Sequence, residues 1–86
     1  IMKKEINICI IEDHKLMREG IKLIVNQTRH IKLVNEYNCL NDFIVLNRNQ
    51  FLDMVLLDLS LPDSIGISSI EIIKQQFPKL SIFSVP

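Results

Sequence analysis

Three carboxylates carry the chemistry on offer. Glu12 and Asp13 stand together at the end of an apolar run, Ile6-Asn7-Ile8-Cys9-Ile10-Ile11. Asp58 is the only charge in Met54-Val55-Leu56-Leu57-Asp58-Leu59. No lysine or arginine falls between Arg48 and Lys74, although that window holds Asp53, Asp58, Asp63 and Glu71. Carboxylates held close raise one another's pKa and oppose folding unless something neutralises them. A hard divalent cation does this: Mg²⁺ takes oxygen ligands and commonly uses one or two carboxylates with a phosphate oxygen. A carboxylate beside such an ion can attack phosphorus and form an aspartyl phosphate, its charge problem offset by the metal. A plainer reading competes for part of the pattern, since Asp13 could cap a helix beginning near Lys15. For Glu12-Asp13 alone the two readings balance. Asp58 inside an apolar strand is harder to dismiss, because an unpartnered buried carboxylate is expensive.

These residues must be held by the elements around them, and the chain alternates between two hydrophobic periods. Ile6–Ile11 is a short run rich in β-branched residues, as a strand buried on both faces should be. From Lys15 to Gln27 the spacing becomes helical, with Met17, Ile21 and Ile24 on one face and Gly20 costing about 1 kcal/mol against alanine. Ile31–Tyr37 alternates imperfectly and reads as a more exposed strand. Leu40, Phe43, Ile44 and Phe51 share a helical face through a polar stretch from Asn38 to Gln50. Met54–Leu59 is the most apolar strand, and Ser60–Gly66, punctuated by Pro62 and Gly66, is a loop. Ser68 and Glu71 fit a capping box opening a helix with Ile70, Ile73 and Phe77 on one face, which Pro78 ends. Ser81–Val85 is a last short strand. The pattern β-α-β-α-β-α-β predicts one α/β domain over residues 1–86, a doubly wound parallel sheet with right-handed crossovers. In such a sheet ligands bind beyond the carboxyl ends of the strands, where the acidic residues lie.

Composition narrows the classes. The 86 residues carry ten basic and ten acidic side chains, and 48% are apolar. That fraction excludes a disordered chain, and a formal net charge of zero offers no basic field for nucleic acid or anionic lipid. No uncharged run approaches the roughly 20 apolar residues of a membrane helix, so no membrane association is expected. Lys3-Lys4 resembles the start of a signal peptide, but Glu5, Asn7 and Glu12-Asp13 break the stretch behind it. Ile1 ahead of Met2 reads as an added residue. Cys9 and Cys39 set neither metal-ligand nor disulfide spacing, and two free thiols point to the cytoplasm. His30 sits in a turn and is expected at the surface; His14 is expected to be a solvent-facing loop side chain, with a metal role as the alternative.

Three segments in order, Ile8-Cys9-Ile10-Ile11-Glu12-Asp13-His14, Met17-Arg18-Glu19-Gly20-Ile21 and Val55-Leu56-Leu57-Asp58-Leu59-Ser60-Leu61-Pro62 with Gly66 beyond, resemble the receiver domain of two-component response regulators. The acidic pair followed by His, and the Met-Arg-Glu-Gly-Ile segment, are most similar to receivers joined to a LuxR-type helix-turn-helix output domain. The resemblance runs from about Ile6 to Val85. It implies a flavodoxin-like sheet of five parallel strands in the order 2-1-3-4-5, making strands one and three neighbours. It implies that Asp58 is the phosphoacceptor, that Glu12, Asp13, Asp58 and the backbone carbonyl of Ser60 hold Mg²⁺, and that Pro62 and Gly66 shape the loop after the phosphorylation site. A sensor histidine kinase or a small phosphodonor would supply the phosphoryl group, shifting an equilibrium between inactive and active surfaces. DNA would be reached only through an output domain outside this chain.

The departures lie at the C-terminal end. Receivers place a Ser or Thr hydroxyl at the end of strand four and a lysine at the end of strand five. Ser84 is the candidate hydroxyl, with the expected position falling at or beyond Pro86; the fifth strand and its lysine are missing from the sequence. Self-association through the surface thereby left open is expected. The leading reading is a phosphorylation-controlled switch rather than an enzyme with a turnover substrate. A phosphatase with an aspartate nucleophile would want a second acid two residues on, where Ser60 stands. The remaining alternative is a degenerate receiver-like module that acts by protein contact alone.

Overall fold

A computed structural model describes residues 5–47, 51–62 and 67–85. Ile1, Lys3-Lys4, Arg48, Asp63, Gly66 and Pro86 lie outside the described residues. The elements are β1 (Ile6–Ile11), α1 (Lys15–Gln27), β2 (Ile31–Tyr37), α2 (Leu40–Leu46), β3 (Met54–Asp58), α3 (Ile67–Gln76) and β4 (Ser81–Val85). The four strands form one parallel sheet in the order β2-β1-β3-β4. This is the expected flavodoxin-like doubly wound arrangement, with β1 and β3 side by side.

Side chains alternate between the faces of the sheet, so each strand serves two layers. Cys9 and Ile11 of β1, Val55 and Leu57 of β3, and Tyr37 of β2 meet Leu40 and Phe43 of α2 and Ile73 of α3 in one buried cluster. Phe43 is completely buried at its centre, its ring 5.6 Å from Tyr37 in an edge-on contact and 5.4 Å from Phe77. The opposite face carries Ile8 and Ile10, both buried, and faces α1. Its cover is partial. Val25 is the buried residue of α1, whereas Met17 and Ile24, expected to be covered, are 56% and 66% exposed. They line an open groove with Ile21, Leu56 and Val85, because one helix does not span the width of this face.

Along the β1–β2 ladder Ile8 pairs with Leu33, but Cys9 pairs with Asn35. Val34 is thus an extra residue, a bulge that accounts for the imperfect alternation of β2. Beyond it Glu36 is aligned with Ile10 and Tyr37 with Ile11.

Two helix boundaries differ from expectation. α2 stops at Leu46, with the Asn47 amide donating to the Phe43 carbonyl before the chain turns extended. Phe51 consequently shares no helical face with Leu40 and Phe43 and is 79% exposed. Ser68 lies inside α3, which is already running at Ile67, so Ser68-x-x-Glu71 is an interior pair rather than a capping box. The sequence pattern is the same in both situations. The end of α3 at Gln76, two residues before Pro78, agrees with expectation.

Cys9 and Cys39 are both free. Burial pushes the Cys9 thiol up to about 12, which makes it an inert core residue. Among the described residues no helix is long and apolar enough to cross a membrane. His30 is exposed and adopts φ 70°, a turn conformation whose carbonyl accepts the first amide of β1.

Candidate phosphoacceptor and metal site

Where the sheet ends, its pairing brings the acids together. Ile11 and Leu57 are neighbours across β1 and β3, so the next residues, Glu12 and Asp58, emerge side by side. The Glu12 amide donates to the Tyr37 carbonyl at 3.0 Å, carrying the ladder one residue past β1. Both carboxyl-bearing residues are buried, Glu12 to 4% and Asp58 to 5% residual exposure. Asp13 and His14 lie on the rim, and one donor atom from each of the four can be chosen so that all fall within 4.8 Å of one another.

The remaining contacts decide how the charge is distributed. Asp58 Oδ1 accepts the Ser60 amide at 2.8 Å and the Ser60 hydroxyl at 2.7 Å. Burial alone would raise the Asp58 pKa, but these two bonds and one shared with Glu12 hold it below its ordinary value. Glu12 moves the other way: burial raises it first, and the hydrogen bond and charge of Asp58 add to that, against bonds from His14 that lower it. Of the two, Glu12 is therefore the first to take up a proton as pH falls. His14 is raised chiefly by its hydrogen bond to Glu12, then by the charge of Asp13.

These directions fix a pH dependence. A group raised on folding contributes stability that is full below its ordinary value and lost as pH climbs through the folded one. Glu12, raised from 4.5, and His14, raised from 6.5, both lose stability with rising pH. Asp58, lowered from 3.8, loses its contribution only on the acid side, as pH falls through its folded value. Thermal melts in EDTA from pH 4.5 upward should show the wild type losing more than Glu12→Gln, which removes one group and the main cause of the other's shift. Parallel curves would refute this charge assignment.

Each expected site residue can now be placed. Glu12, Asp13 and Asp58 converge. Ser60 joins through its amide and hydroxyl. Ser84 does not join: it pairs with Leu57, whereas the residue opposite Asp58 is Val85. By strand alternation Ser84 shares the face of Leu57, so it is a strand residue and not the hydroxyl of the site. The helix cap considered for Asp13 is also absent, because the N-cap of α1 is His14, without a side-chain cap bond. Of the other acids in the cation-free window, Asp53 sits at the far end of β3, accepting the Asn7 amide at 2.8 Å, and Glu71 is exposed on α3. His14 is solvent-facing as expected, with 69% of its side chain exposed, yet Nδ1 is also bonded to Glu12 at 3.1 Å.

One participant was not singled out from sequence. Arg18, on α1, donates to the Glu12 carbonyl at 2.8 Å and to Asn38, while its Nε meets Glu36 at 2.9 Å. Lys22 holds the other oxygen of Glu36 at 3.0 Å. The sequence signal was Arg18 one helical turn after His14, legible only once β2 is known to run beside β1.

The sequence matches the family described as response regulator receiver domain over residues 8–85. This chain belongs to that family. It is 38% identical over 66 residues to the response regulator UvrY of Escherichia coli, covering 77% of this chain and 29% of UvrY. With the nitrate/nitrite response regulator NarL of Escherichia coli it shares 28% identity over 80 residues, 91% of this chain and 37% of NarL. The receiver therefore spans about a third of the length of these curated relatives. Among solved structures, RcsB of Salmonella typhimurium superimposes with a TM-score of 0.86 at 28% identity, over 95% of this chain and 42% of that one. The isolated receiver domain of RcsB, solved in the presence of phosphomimetic BeF3−, gives a TM-score of 0.85 at 28% identity, over 94% and 61%. UvrY and NarL are response regulators, and RcsB is a two-component response regulator.

Proposed function

We propose that this receiver is a switch in which Asp58 accepts a phosphoryl group from a sensor histidine kinase or a small phosphodonor. The observation that carries the reading is the buried Glu12–Asp58 pair at the carboxyl ends of adjacent strands, with Asp13 at its rim. A carboxylate oxygen of Asp58 forms the new bond to phosphorus as the bond from phosphorus to the donor's imidazole nitrogen or acyl oxygen breaks. The leaving group keeps the electron pair. The Ser60 amide and hydroxyl hold Oδ1 and fix the plane of the carboxyl during the attack.

The donor set fits Mg²⁺. Glu12, Asp13 and Asp58 provide hard oxygen atoms within coordinating reach of one another, and the Ser60 carbonyl is the proposed fourth contribution. When bound, the ion would offset the negative charge of the carboxylates and of the phosphoryl group.

The test is incubation with Mg²⁺ and acetyl phosphate followed by intact mass. One phosphoryl adduct supports the switch; its absence in a chain that remains folded rejects it.

In the whole protein, the switch would act in the cytoplasm on a DNA-binding output domain, as a non-enzymatic component. Self-association is the other proposed interaction. Leu16, Leu23 and Ile24 on α1 and Phe83 on β4 are all more than half exposed, and β4 lies at an edge of the described sheet. Sedimentation of the 86-residue chain should give a species larger than the monomer, with mass rising with concentration. A monomer at every concentration would rule it out.

A further inference from the structure

The main chain under the acidic pair is held from outside the pocket. The Glu12 amide is tied into the sheet through the Tyr37 carbonyl at 3.0 Å, and the Glu12 carbonyl accepts Arg18 Nη1 at 2.8 Å. That carbonyl belongs to the peptide joining Glu12 to Asp13. Because a peptide unit is planar, fixing its oxygen fixes the plane from which Asp13 departs.

Asp13 is the carboxylate that most needs such a hold. Glu12 is packed away, with 5% of its side chain exposed, and Asp58 is bonded twice to Ser60. Asp13 stands on the rim with 31% of its side chain exposed, where little packing restrains it.

Arg18 is itself steadied. The same Nη1 donates to Asn38, just past β2, and Nε meets Glu36 Oε1 at 2.9 Å. Lys22 holds the other Glu36 oxygen at 3.0 Å and Glu19 at 3.1 Å, so the carboxylate that orients the guanidinium is oriented in turn. Only 15% of the Arg18 side chain is exposed. A planar guanidinium presents its donors in fixed directions and can serve these three acceptors together, whereas an ammonium on a flexible stem is a point charge.

We propose that Arg18 is a positioning residue of this receiver: by fixing the Glu12–Asp13 peptide it aims the Asp13 carboxylate into the Mg²⁺ site and raises affinity for an ion it does not touch. The inference rests on the pocket's binding Mg²⁺. Among the described residues Arg18 makes no contact with Asp58 or Ser60, so its influence falls on loading of the ion and not on the attack at phosphorus.

The experiment compares the 86-residue chain with Arg18→Lys, Asp13→Asn and the double variant, each checked for folding by circular dichroism. Arg18→Lys keeps the charge and the helix propensity but removes the fork. Without metal, the ¹⁵N resonance of the Asp13 amide, the nitrogen of that same peptide, should move in Arg18→Lys. Mg²⁺ titrated calorimetrically should bind about tenfold more weakly, as when a group that orients a ligand is lost. The rate of phosphorylation by acetyl phosphate at saturating Mg²⁺ should stay near the wild-type value. In Asp13→Asn, adding Arg18→Lys should cost no further affinity, because the carboxylate being aimed is gone. Unchanged Mg²⁺ affinity in Arg18→Lys, or losses that multiply in the double variant, overturn the role of Arg18 and leave the Mg²⁺ reading standing. A wild type that binds no Mg²⁺ overturns both. Should Arg18→Lys fail to fold, Glu36→Gln removes the charge that steadies the guanidinium: weaker Mg²⁺ binding supports the role, and unchanged binding overturns it.

Discussion

Asp58→Asn should abolish phosphorylation without unfolding the chain: after exposure to Mg²⁺ and acetyl phosphate the wild type is expected to carry one adduct and the variant none. The amide has the shape of the carboxyl, and its oxygen can still accept the Ser60 amide and hydroxyl now bonded at 2.8 and 2.7 Å. What it lacks is a nucleophilic oxygen, so the loss is complete rather than graded. A second signature follows from the pair. Asp58 contributes a hydrogen bond and a negative charge to the causes that raise Glu12. Without them only burial remains on the raising side, and the Glu12 carboxyl should titrate lower in the variant, as NMR of its side-chain carbonyl would read. An adduct that persists in Asp58→Asn would move the phosphoacceptor to Glu12 or Asp13.

Phe43→Ala should leave much of the chain unfolded. Phe43 is fully buried between Tyr37 and Phe77, joining α2, β2 and the end of α3. Truncating a buried Phe to Ala costs about 3–5 kcal/mol. A domain has about 5–15 kcal/mol in all, and one of this size falls toward the lower end. The expected fall in melting temperature is more than about 10 °C, read by circular dichroism, with a matching drop in the urea midpoint. Leu46→Ala, at a position 61% exposed on the same helix, should stay within about 0.5 kcal/mol of wild type. A loss below about 1 kcal/mol for Phe43→Ala would mean that the three elements are held by something other than this ring.

Much of this was legible in the residues because it depended on local pattern. The apolar strands with a lone Asp58, the helical spacing of Ile70, Ile73 and Phe77, and the stop at Pro78 each follow from one short segment. Convergence of Glu12 with Asp58 needed the strand order, which the α/β alternation and the family resemblance supplied together. What could not be read depended on register between segments. Ser84 and Val85 are one residue apart, and only the pairing of β3 with β4 shows which of them stands opposite Asp58. Arg18 reaches Glu12, Asn38 and Glu36 across three elements, a convergence with no signature in any one of them. Phe51 fitted a helical repeat that α2 does not extend far enough to use.

The bulge at Val34 makes β2 sensitive to chain length in a way that it is not to side-chain identity. Counting back without the extra residue, Glu36 would align with Ile11 and enter the layer of Phe43, and Tyr37 would leave it. With the bulge, the acid reaches Arg18 and Lys22 and the aromatic reaches the core. The half-buried Val34 could change to another side chain at modest cost. Deleting it would exchange the two layers for the remainder of the strand, placing a carboxylate in the core and detaching the guanidinium from its anchor. Natural variation along this strand should therefore appear as substitutions, while insertions and deletions accumulate in the loops.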